Sequence, residues 1–238
     1  MSTESRVALI TGANRGLGLE IARQLGKQGI IVVIGSRDLA KGEAAAALLI
    51  SEGIDAHALK LEMTNDKDVE AVPGWFESKF GKLDILINNA GVVHDFDGEI
   101  NSDTFRKTFE SNVFSPFALT TALLPLLKAS PAGRIVNHSS ILGSIQTVKT
   151  QNFGDFAKGP YAASKAALNM LTIILANQLK DTKVKINSAH PGWVKTDMGG
   201  VNAPMELVDG AKTAVRLATL PDDGPTAGFY HMENELPW

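Results

Sequence analysis

Short apolar runs alternate with longer stretches whose apolar positions recur every three or four residues, and the alternation continues along almost the whole chain. Residues 7–10 predict a strand, followed by a glycine-rich turn and a helix through Leu17, Ile21, Ala22 and Leu25. Residues 30–34 predict a second strand, and Asp38 is placed to cap an alanine-rich helix over 40–49. Strands at 57–61 and 83–87 flank a helix near 66–80. One long helical region over roughly 102–128 leads to a fifth strand at 134–137. A helix over 161–180, a strand at 185–189, a helix over 206–220 and a last strand at 229–231 complete the pattern. Residues 145–160 are the least regular stretch. Strands that are apolar on both faces, alternating with helices of this length, predict a mainly parallel seven-stranded sheet with helices on both faces. No repeat, linker or low-complexity tract divides it, so residues 1–238 read as a single doubly wound α/β domain.

Composition narrows the function classes. Hydrophobic residues make up 44% of the 238, enough for a continuous core and too many for a disordered chain. The net charge of −3 comes without a run of either sign, so no nucleic-acid-binding surface or polybasic membrane anchor is expected. With zero cysteines, disulfides, thiolate metal sites and cysteine nucleophiles are all excluded. The five histidines lack metal-ligand spacing; His138 and His190 read as strand-end packing, and Asp95, Asp97 and Glu99 as a solvated loop. Residues 1–6 lack the regions of a signal peptide, and no apolar stretch reaches the roughly 20 residues of a membrane span. A cytoplasmic enzyme without a membrane partner is the expectation.

Candidate chemistry begins at the turn after the first strand, Thr11-Gly12-Ala13-Asn14-Arg15-Gly16-Leu17-Gly18. Glycines in a strand-to-helix turn let backbone N–H groups approach a pyrophosphate at the helix N-terminus, which makes Gly12, Asn14, Arg15, Gly16, Leu17 and Gly18 candidate dinucleotide contacts. The spacing is G-x-x-x-G-x-G, and packing alone also places glycine in such turns. The second strand runs into Ser36-Arg37 with no acid at its end to accept from an adenosine ribose. Arg37 and Arg15 could instead grip a 2′-phosphate, which favours NADP(H) over NAD(H). The alternative, Asp38 as a displaced ribose acid, competes with its role as a helix cap.

Tyr161-Ala162-Ala163-Ser164-Lys165 sets a phenol and an ammonium four residues apart on one helical face. A phenol titrates near 10, so a nearby cation is needed before it exchanges protons at neutral pH. Ser139-Ser140, Asn88-Asn89-Ala90-Gly91 and Pro191-Gly192-Trp193-Val194-Lys195-Thr196 follow three different strands at one sheet edge, where open α/β sheets bind ligands.

With these motifs the chain resembles the short-chain dehydrogenase/reductase family, in its carbonyl-reductase-like branch, from Arg6 to the C-terminal Leu236-Pro237-Trp238. The resemblance implies a Rossmann-type fold and an NADP(H)-dependent interconversion of a small-molecule carbonyl and its alcohol. It implies Tyr161 as general acid or base, Lys165 as the group that lowers its pKa and holds the nicotinamide ribose, and Ser140 as hydrogen-bond partner of the substrate oxygen. Asn112 matches the asparagine of a helix kink in the proton relay, and Thr196 the residue that orients the nicotinamide carboxamide. Glu62, Met63, Asn89, Ala90, Gly91, Pro191, Gly192 and Val194 match further cofactor contacts. Two departures stand out. Glu62 replaces the usual aspartate, and Ser140 and Tyr161 are 21 positions apart where the family has about 13. The extra residues fall in 145–160, where related carbonyl reductases cover a subunit interface, so monomer and homo-oligomer both stay open. Two other functions stay in view: an NAD(P)-dependent secondary-alcohol dehydrogenase, and a non-catalytic NADP-binding sensor.

Overall fold

Apolar side chains build the sheet from both sides. Along β1 (Val7–Thr11), Ala8 and Ile10 enter one buried cluster while Val7 and Leu9 enter a second cluster on the opposite face. The same alternation holds in β2 (Ile31–Ser36) and β4 (Ile85–Asn88), as strand geometry requires. The first cluster is closed by α1 (Gly16–Gly26), α2 (Leu39–Ser51) and α8 (Leu207–Ala218). The second is closed by α3 (Asp66–Lys79), α5 (Ser115–Ala129) and α7 (Pro160–Gln178). The computed structural model describes residues 5–94, 100–154 and 159–238; Asp95, Asp97 and Glu99 of the expected solvated loop lie outside the described residues. Among the described residues no helix is long and apolar enough to cross a membrane.

With β3 (Ala56–Lys60), β5 (Arg134–His138), β6 (Lys185–Ala189) and β7 (Phe229–His231), the strands run parallel in the order β3-β2-β1-β4-β5-β6-β7. An eighth strand, β8 (Asn234–Glu235), pairs antiparallel with β7, which corrects the expected seven. The hairpin lacks the usual glycine or asparagine turn signal. Met232 takes φ +52° there, held by its N–H on Thr213 Oγ1 at 2.8 Å and its carbonyl on Arg216 Nε at 2.9 Å. Strand order reverses between β1 and β4, so the carboxyl ends of those strands open a crevice for a ligand.

Two further differences from the sequence pattern bear on that crevice. The long helix expected over 102–128 is divided into α4 (Ser102–Phe109), a π-helical turn at Glu110–Phe114, and α5. Pro116 has no N–H to give the carbonyl four residues back, and the Ser115 hydroxyl instead donates to Glu110 O at 2.8 Å. Within the irregular stretch, α6 (Ile145–Thr150) forms a short helix capped by Ser144, whose Oγ accepts from Thr147 N at 3.0 Å.

Candidate active site

The turn between β1 and α1 lies at the strand-order reversal. α2 and α3 are capped at their N-termini by Asp38 and Asn65, but no side chain caps α1. Its first-turn N–H groups therefore face outward as donors for an anion. Gly16 takes φ +55°, and a Cβ there would meet no protein atom within 4 Å, so the turn presents an open backbone surface. Arg15 and Arg37 are exposed nearby on the first and second strands' turns. Open glycine backbone, uncapped helix donors and guanidinium groups form a donor set that fits a dinucleotide phosphate. Arg15 also makes a 2.6 Å ion pair with Asp197 of the loop after β6, on the far side of the β4 and β5 ends. Ser36 is buried and donates to Asp38 O at 2.7 Å, so its hydroxyl shapes the turn. Asp38 accepts from Lys41 N at 3.2 Å, which makes it the cap of α2.

Asn14 and Leu17 are half-buried in the turn, Leu17 against the first apolar cluster, while Gly18 is buried in the first turn of α1. After β3, Glu62 and Met63 are half-buried; the Glu62 N–H is held by Asp68 Oδ2 at 2.8 Å. At the end of β4, the Thr11 hydroxyl accepts from Asn89 N at 3.0 Å and Ala90 N at 2.9 Å. The Asn89 amide donates to Thr11 O at 2.8 Å, and its Oδ1 lies 3.0 Å from His138 Nδ1. Asn89 thus ties three strand ends together. Thr11, a lone polar residue ending an apolar run, carried no signal of this role in the sequence.

Asn112 is buried in the π-helical turn. Its Oδ1 accepts from Val92 N and its Nδ2 donates to Val92 O, both at 2.9 Å, and Nδ2 also reaches Ser164 Oγ at 3.1 Å. The Ser164 hydroxyl donates to Tyr161 O at 2.7 Å, so the amide links the chain beyond β4 to the first turn of α7. Lys165 is buried, with Nζ donating to His138 O at 2.7 Å and lying 5.6 Å from the Tyr161 ring centroid. Burial pushes its pKa down to about 8. A Cβ added to Gly91 would stand 3.2 Å from Asn112 Oδ1 and 3.6 Å from Lys165 Nζ, so the amide and the amine converge where β4 ends.

Ser140 opens a 3-10 turn (Ile141–Gly143), and its Oγ accepts from Leu142 N at 3.2 Å. That turn seats on α7: Asn169 Nδ2 donates to Gly143 O at 3.2 Å. At Gly143 a Cβ would come within 2.7 Å of the Lys165 carbonyl carbon, a contact only glycine permits. Ser139 is buried, its hydroxyl 3.4 Å from Lys165 O. Ser140, Lys165 and Asn112 are therefore brought together around the helix that carries the half-buried Tyr161.

Pro191, Gly192, Val194 and Thr196 lie in the loop after β6. Val194 is buried and bridges to Met205, and the Thr196 hydroxyl accepts from Gly199 N at 2.9 Å. His138 and His190 are deeply buried, each with its pKa pushed down to about 3, first by desolvation and then by neighbouring charge. Among the described residues no cluster of three histidine, aspartate or glutamate side chains could hold a metal.

Known proteins share this fold. A family model described as short chain dehydrogenase matches residues 6–206. The chain is 33% identical to (-)-isopiperitenone reductase of Mentha piperita, over 99% of each chain. It is 32% identical to carbonyl reductase [NADPH] 1 of Sus scrofa, over 100% of this chain and 96% of that protein. The crystal structure of NADPH-bound carbonyl reductase from chicken fatty liver superposes with a TM-score of 0.85 at 27% identity, covering 99% of this chain and 100% of that one.

Proposed function

The chain belongs to the short chain dehydrogenase family and is an NADP(H)-dependent oxidoreductase, and from that premise we propose that it reduces a ketone or aldehyde to an alcohol with Tyr161 as general acid. The cofactor, when bound, supplies the hydride. The α1 N-terminus and residues Gly12 to Gly18 would hold its pyrophosphate and Arg37 its 2′-phosphate, joined by Arg15 once that guanidinium leaves Asp197. Asn89, Ala90 and Gly91 line the ribose side, Glu62 and Met63 the adenine end, and Pro191, Gly192, Val194 and Thr196 the nicotinamide end.

Ser140 Oγ accepts a backbone N–H, which leaves its own proton to donate to the substrate oxygen. Tyr161 gives its phenolic proton to the same oxygen as negative charge develops there. Lys165 makes that transfer possible at neutral pH. Its positive charge beside the ring favours the phenolate over the phenol. Asn112 fixes the start of α7 through Ser164, and its π-helical turn beside the amine would hold a water that carries protons between Lys165 and solvent.

The observation that carries the reading is the buried ammonium of Lys165, held by the His138 carbonyl beside the Tyr161 ring and packed under the Ser140 turn. Tyr161→Phe tests it. NADPH binding, followed by fluorescence titration, should stay within about two-fold, while turnover of an aldehyde or ketone panel falls by about 1,000-fold. A variant that turns over at close to the wild-type rate removes Tyr161 from this role.

A further inference from the structure

β6 is followed by His190, whose side chain reaches back to the element that carries the serine. Its Nδ1 lies 3.3 Å from Ile141 N, the first amide of the 3-10 turn after Ser140. The next two amides are satisfied within the turn: Leu142 N donates to Ser140 Oγ at 3.2 Å and Gly143 N to Ser140 O at 2.8 Å. Ile141 N is left to the histidine. An amide N–H can only donate, so Nδ1 must offer its lone pair and the ring proton sits on Nε2. Other contacts hold the residue from behind. His190 N donates to Tyr230 O at 2.7 Å, and His231 Nδ1 donates to His190 O at 3.0 Å with the two rings 5.0 Å apart. Burial first, and His231 second, keep the ring uncharged at physiological pH.

We propose that His190 is a positioning residue for carbonyl reduction, its Nδ1 anchoring Ile141 N so that the Ser140 hydroxyl stays aimed at the substrate oxygen. This rests on the role given to Ser140 above. Without that acceptor, the half-buried Ile141 amide loses its partner, and the turn shifts to find one. Ser140 is the first residue of the turn and shifts with it. Displacements of about 1 Å in such a group lower rates by as much as about 100-fold. Asn169 still pins the far end of the turn at Gly143, so the fold itself survives.

The test is a substitution set read by single-turnover NADPH oxidation. His190→Leu keeps the ring's approximate volume and removes the lone pair; the rate should fall about ten-fold with the NADPH dissociation constant within about two-fold. His190→Asn restores an acceptor at the δ position and should recover the rate to within about three-fold of wild type. In a Ser140→Ala background, His190→Leu should slow the reaction by less than about two-fold, because the group it positions is gone. An undiminished His190→Leu rate, no rescue by asparagine, or the full ten-fold effect persisting without the serine would each overturn the inference. Should His190→Leu not fold, His190→Ala carries the same comparison. If Ser140→Ala alone is fully active, the reading of Ser140 falls instead, so the two failures are distinguishable.

Discussion

Replacing Lys165 with methionine should separate ionisation from packing in this core. Lys165 is 5% exposed, and its pKa falls from 10.5 to about 8 through desolvation. Such a shift corresponds to about 3 kcal/mol by which the folded state disfavours the charged form at pH 7. Methionine matches the side chain's length without a charge, so Lys165→Met relieves that penalty. It also abandons the 2.7 Å bond to His138 O, and an unpartnered buried carbonyl costs about 1–3 kcal/mol. The two terms oppose each other at any single pH, but only the first depends on pH. Because the folded pKa lies below the unfolded one, the unfolded chain binds more protons between pH 8 and 10.5, and stability rises with pH across that window. The wild-type unfolding free energy, taken relative to the methionine variant, should therefore climb by about 2 kcal/mol from about pH 7 to about pH 9.5. Urea denaturation of both proteins at half-unit intervals measures it. Parallel pH profiles would mean the amine is not desolvated, and the account of how it acts on Tyr161 would fail with it. Carbonyl reduction by the variant should be lost at every pH.

Acid should destabilise the fold before the carboxylates titrate. His138 and His190 fall from 6.5 to about 3, so native stability is intact above about pH 6.5 and is lost as pH drops toward 3. Urea midpoints should report a loss of about 2 kcal/mol per histidine between about pH 7 and about pH 5; a flat profile there would show that the rings are solvated. Cofactor choice should depend on Arg37. Arg37→Asp should raise the NADPH Michaelis constant about ten-fold or more and change that for NADH by less than about three-fold, and equal effects on both would place the guanidinium away from the 2′-phosphate.

The elements that periodicity specifies were legible one by one. The parallel strands, the helices between them and the cap at Asp38 follow from local pattern and local hydrogen bonding. So does the glycine turn, because a residue type with no Cβ announces an open backbone. β8 was not legible, because its turn uses a methionine at positive φ held by Thr213 and Arg216, neither of which is near it in sequence. The π-helical turn was missed for a related reason: Pro116 hints at a break, but the partners of Asn112 that make the break useful are Val92 and Ser164, 20 and 52 positions away.

The candidate site divides along the same line. Four-residue spacing nominated Tyr161 and Lys165 only in company with the strand-end motifs, and the role expected of Ser140 came from the resemblance those motifs carry. What the amine touches, how deeply it is buried and therefore how acidic it becomes depend on β4, β5 and α7 meeting at one edge. His190 shows the limit most clearly. As a histidine before a proline it is an ordinary strand-end residue, and only the sheet, by bringing the end of β6 beside that of β5, sets its ring nitrogen against the amide that follows Ser140. Periodicity is a property of neighbours along the chain and survives without tertiary contacts. Desolvation and hydrogen-bond direction belong to neighbours in space, and they exist only once the sheet has assembled.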